Sequence, residues 1–203
     1  MKKMTIIVIA LFFSTFAKAQ TSYEIFEDIP ITFYGLDFTH AKCVGSRKIP
    51  EANVIVNKYF KEWNDLFMVG RKRIDIGHPY KKHEVYYDTS VYQKNRNIDP
   101  SKLVVEIPYD FKRKEVEAYM EDYADPSREG VGLIYMVESI NTADKYLSIW
   151  VTFFNMKTGD IILTEPLRSK GHGRKFSFYW NDALVSLYEE SAKDYKVWRK
   201  AFR

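Results

Sequence analysis

A single cysteine, Cys43, is all that this 203-residue chain contains. It has no partner for an intramolecular disulfide, even in an oxidising compartment. The His40-x-x-Cys43 pair falls short of the four ligands of a usual structural zinc site. Seven prolines and nine glycines are scattered, with no Pro/Gly/Ser-rich linker, repeat or low-complexity tract. Short catalytic signatures are missing as well. There is no serine nucleophile elbow, no dinucleotide glycine fingerprint, no legible pair of catalytic carboxylates and no Gly-Lys-Ser/Thr phosphate loop. That leaves open an active site assembled from distant segments.

Residues 1–19 have the make-up of a secretory signal. Lys2 and Lys3 start it, residues 6–13 form its apolar run, and Ala17-Lys18-Ala19 is a small-x-small cleavage pattern. The run is shorter than the roughly 20 apolar residues of a membrane-spanning helix. Cleavage is expected near Ala19–Gln20, with residues 20–203 forming one domain in the periplasm or outside the cell. Three of the 31 basic residues (Lys2, Lys3 and Lys18) and none of the 27 acidic ones fall in the leader, so the exported part is nearly neutral. Nucleic acid is therefore not an expected partner.

Aromatic residues are plentiful, at 16% of the chain, and they organise its second half. Residues 130–198 read as three strands and a long helix. In the middle strand Leu147, Ile149, Val151 and Phe153 share one face. Tyr146, Ser148, Trp150, Thr152 and Phe154 share the other, which reads as covered by a helix or lining a groove. Residues 155–160 turn the chain, and Pro166 marks a bulge or an edge strand. Trp180, Leu184, Leu187, Tyr188, Ser191, Tyr195 and Trp198 form a stripe at helical period.

Earlier, residues 31–38 alternate as a strand, and Pro50 opens a helix that runs to about Met68. Residues 70–83 read mostly as loop, 84–91 as a strand, 94–101 as loop and 104–107 as a short extended piece. Asp110 is placed to cap a helix over 111–123. The expected fold is α+β (α/β layered): a mixed, largely antiparallel sheet of about five strands with three main helices packed on it.

The best candidate for chemistry is the turn Lys170-Gly171-His172-Gly173-Arg174-Lys175, just before the closing helix. Glycines allow close approach of backbone to ligand, and Lys170, His172, Arg174 and Lys175 suit a phosphate, sulfate or carboxylate. The same turn also reads as an ordinary solvated connection. Trp150, Tyr146 and Phe154 are candidates for the aromatic wall of such a site. Cys43 with His40 is a conceivable nucleophile and base, though only Lys42 and His40 are near enough in sequence to lower the thiol pKa. His78 and His83 lie in a basic loop that repels metal ions and reads as solvated. Asp37 sits in an apolar strand, and if it points inward it needs a partner. No catalytic residue, metal site or cofactor is expected.

The segments GVGLIYMVESI, VTFFNMKTGDIILTE, KGHGRKFSFYW and ITFYGLDFTHAKCVG resemble a family of uncharacterised secreted proteins of Bacteroides-type bacteria. Tyr34-Gly35, Asp37-Phe38, Thr158-Gly159 and Tyr179-Trp180 carry the sharpest matches. That family offers no activity to carry over. More distantly, the strand–helix layout and the hairpin at Thr158–Leu163 look similar to the N-terminal domain of TolB and to CsgG-like envelope domains. The resemblance implies a non-enzymatic envelope interaction or assembly module with a protein partner. The alternative is a binder of small or anionic ligands; a hydrolase ranks third.

Overall fold

The computed structural model describes residues 24–45, 49–70 and 73–202. The expected leader, residues 1–19, lies outside them. Seven strands form one sheet: β1 (Ile31–Asp37), β2 (Lys42–Val44), β3 (Val85–Tyr87), β4 (Val104–Val105), β5 (Val131–Asn141), β6 (Tyr146–Asn155) and β7 (Ile161–Ser169). The long strand β5 is the axis. On one flank it takes β1 over its first half and β2 over its second, both parallel. β3 and β4 then pair in parallel with β1 and β2. On the other flank β6 and β7 follow as an antiparallel meander.

This corrects the expected sheet. It has seven strands rather than about five, four of its six strand pairings are parallel, and the fold is α/β. The short turns at 142–145 and 156–160 do give antiparallel neighbours, as the sequence suggests. Helices lie in the connections between the partners of every parallel pair, and parallel pairing needs such connections. The edge strands β3 and β4 have three and two residues, too few for a period to show. Pro166 does sit on an edge strand, since β7 pairs only with β6.

Among the described residues five helices accompany the sheet, besides the 3-10 turns Pro100–Lys102 and Glu121–Tyr123. α1 is continuous through Ala52–Val54, a π-type stretch Ile55–Tyr59, and Phe60–Met68; α2 is Gly77–Tyr80; α3 is Ser90–Arg96; α4 is Arg113–Met120; α5 is Phe176–Ala201. Helix α1 starts at Ala52, after Glu51, two residues later than Pro50 suggests. Asp110 does not cap α4. Glu115 accepts from the Lys112 amide there, and Asp110 pairs with Arg168 at 2.7 Å. The 70–83 stretch is less of a loop than its polarity implies, because α2 buries Tyr80 against Phe153 and Tyr195.

Two cores result. Leu133, Tyr135, Val137, Ile149, Val151 and Phe153 meet α1, α2 and α5 on one face. Ile134, Met136, Trp150 and Phe154 meet Val116 and Met120 of α4 on the other. The alternation in β6 is as the sequence indicates, and its aromatic face is covered by a helix. Among the described residues no helix is long and apolar enough to cross a membrane.

Candidate functional site

The C-terminal ends of β2, β4 and β5 lie side by side. The amide of Gly45 donates to Val105 O at 2.9 Å, and that of Thr142 to Val44 O at 2.8 Å. Ligands of open α/β sheets bind outside such strand ends. Here the space outside is a groove of about 980 Å³. Its floor and near wall come from Gly45, Glu106, Thr142 and Lys145. Its far wall is the start of α5, with Arg174, Lys175, Phe176, Tyr179 and Trp180. Lys145, Arg174 and Lys175 face one acid, Glu106, among the described lining residues.

Local geometry holds these parts together. The Tyr179 hydroxyl donates to Lys145 O at 2.9 Å, joining α5 to the β5–β6 turn. Gly171 packs so closely on α5 that an added Cβ would lie 1.8 Å from Tyr179 O. No side chain caps the N-terminus of α5, so the positive end of its dipole also faces the groove side.

The candidate turn is thus divided. Arg174 and Lys175 line the groove, whereas Lys170 and His172 do not. His172 folds back on α5, where its amide and Nδ1 meet Asp182 Oδ2 at 2.8 and 2.9 Å. Those hydrogen bonds hold the Asp182 carboxyl below its usual pKa. Lys145, Glu106 and Thr142 were missed because they come from turns distant in sequence. The aromatic face of β6 does not join the groove. Trp150 is buried with its Nε1 donating to Glu138 Oε2 at 3.0 Å, and Tyr146 lies under Arg168 at 4.9 Å.

The other candidates are accounted for by structure. Cys43 is fully buried in β2 between β4 and β5, and burial pushes its thiol up to about 12. Such a thiol is no nucleophile near neutral pH. Asp37 points inward and finds its partners: the Thr39 amide and hydroxyl at 2.8 and 2.6 Å, and the Tyr123 hydroxyl at 2.7 Å. His83 pairs with Asp28, and Lys82 beside it turns inward to Ile25 O. Among the described residues no three His, Cys, Asp or Glu side chains are grouped to hold a metal ion. No protein-family model matches this chain, and no curated protein is similar to it in sequence.

Proposed function

We propose that the protein, once exported, is a non-catalytic binding module of the cell envelope whose groove receives an anionic group of its ligand or partner. The observation that carries this reading is the lining of the groove at the parallel strand ends. Three cations and the faces of Phe176 and Tyr179 surround a single acid. Cations attract and orient an anionic head, and aromatic faces take an apolar or ring-shaped body. The inert state of Cys43 removes the thiol route to a hydrolase.

The test uses anilinonaphthalene sulfonate, an aromatic anion, as a fluorescent probe. The parent protein is expected to bind it saturably, with weaker binding as salt rises. Arg174→Ala with Lys145→Ala should weaken binding about tenfold or more, the size of one lost charge-assisted contact. Lys170→Ala with His172→Ala should leave it unchanged. Equal affinity in all three proteins rejects the groove as the binding surface.

A further inference from the structure

We propose that the cavity at the break between β1 and β2 is a second ligand site, taking a small oxyanion between the ring edge of His40 and the ammonium groups of Lys42 and Lys94. It lies apart from the groove and does not rest on the groove reading. The cavity measures about 440 Å³, within the range of small-molecule sites. It exists because β1 stops at Asp37, whose carboxylate turns the chain by accepting from Thr39.

Three observations converge on it. First, His40 lies flat on Tyr119, ring centroids 3.6 Å apart and planes 6° from parallel. The ring nitrogens lie in that plane and so cannot point into Tyr119. Neither has a hydrogen-bond partner among the described residues, and the residue lines the cavity. Second, two lysine heads are already fixed. Lys42 Nζ donates to Lys102 O at 2.8 Å, and Lys94 Nζ donates to Asp122 O at 3.0 Å. An ammonium has three N–H groups, so Lys42 retains two for a ligand, and Lys94, whose head also lies 3.8 Å over the Tyr123 ring, retains one. Third, the lining carries Lys42, Lys94 and Lys102 against Asp99 and Asp122. Asp99 and Asp122 sit 3.7 and 3.8 Å from Lys102 and Lys94, which leaves an excess of positive charge.

Burial holds the His40 pKa below its ordinary value. Asp37 and Asp122 oppose that shift, and Lys42 and Lys94 add to it. The imidazole is therefore uncharged at neutral pH and offers one donor. In acid it becomes a third cation. By linkage, a bound anion must raise the pH at which His40 takes up its proton.

The experiment is an NMR titration of the His40 ring signals with sodium sulfate, at constant ionic strength, across the pH range of histidine. Sulfate keeps its charge throughout, so any change in affinity belongs to the protein. The expected result is a saturable shift, tighter binding at lower pH, and a titration midpoint that moves up with sulfate. Lys42→Met with Lys94→Met should weaken the effect about tenfold or more. Arg174→Ala with Lys145→Ala should leave it intact, which separates this site from the groove. Ring signals that stay fixed to ~50 mM sulfate, where even millimolar affinity would show, overturn the proposal. So does an unchanged response in the double lysine variant, whose folding is checked by its melting curve.

Discussion

Replacing Asn64 with leucine keeps the side chain's size and removes both halves of an amide that the fold uses as a strand. β3 ends opposite Phe33, so the backbone of β1 beyond that point has no neighbour on its outer flank. Two buried asparagines fill the place. Asn64 Oδ1 accepts from Leu36 N at 2.7 Å, and its Nδ2 donates to Leu36 O at 2.8 Å. Asn95 adds a second donor to Leu36 O and accepts from Phe38 N, both at 2.8 Å. In Asn64→Leu the Leu36 amide is stranded away from water, while Leu36 O keeps Asn95. A stranded buried donor costs about 1–3 kcal/mol, and the second lost bond about 1 more. A total near 3 kcal/mol lowers the melting temperature of a domain this size by about 6–12 °C. Asn57→Leu is the control, since exposed Asn57 only donates back to Asn53 O. It should change stability by no more than about 0.5 kcal/mol. In the double variant of Asn64 and Asn95 the Leu36 carbonyl loses its last donor. The losses should then exceed their sum by at least about 0.5 kcal/mol. Calorimetric melting decides the matter. An Asn64→Leu protein as stable as Asn57→Leu refutes the strand-replacement argument.

Three further expectations follow from named contacts. Lys82 is buried, donating to Ile25 O and Glu27 O, and burial lowers its pKa from the usual lysine value to about 8. Between pH 8 and the ordinary lysine pKa the unfolded chain binds more protons than the folded one, so stability rises with pH there. Solvent screening keeps the gain to about 1 kcal/mol, and Lys82→Met should abolish it in urea titrations run from pH 7.5 to 9.5. Gly171→Ala places a Cβ 1.8 Å from Tyr179 O. The start of α5 must move, at a cost of about 1–3 kcal/mol that a melting curve will show, and probe binding at the groove should weaken with it. Cys43 should resist a thiol reagent at pH 8 in the native protein and react on unfolding, because its thiol titrates only at about 12; rapid native labelling contradicts its burial.

What the sequence made legible was whatever repeats over many residues. The unbroken eleven-residue buried run of β5, the alternation of β6 and the long stripe of α5 each span enough chain to be read. β4, with two residues, and α2, with four, are too short to carry a period. Parallel pairing was illegible for another reason. It depends on whether each connection carries the chain back to the end of the sheet where the previous strand began, and no local residue records that. The candidate turn was half right in composition: Arg174 and Lys175 line the groove, but Asp182 captures His172. Asp182 lies nearly two helical turns into α5, so its carboxylate reaches the turn only once the helix has packed. Asp37 was the clearer signal. An acid in an apolar strand demanded a partner, and Thr39 and Tyr123 supply it.

Both cavities follow from one feature of the sheet. Opposite β5, the chain is laid down as two collinear pieces, β1 against residues 131–136 and β2 against residues 139–141. A continuous strand would have paired along the whole flank and closed it. The interruption instead leaves backbone groups at Phe38 and Thr39 that need polar partners, which Asn95 and Asp37 supply. It also leaves a gap into which His40 turns. The far end of the same rank, at Val44 and Gly45, opens on the groove beneath α5. Asp37 thus shapes the first cavity through the turn at Thr39 and has no contact with the second. Asp37→Asn retains an acceptor for the Thr39 amide but loses the charge. It should alter the His40 titration while leaving groove binding as it is, and a change in both would mean that the two ends of the rank move together.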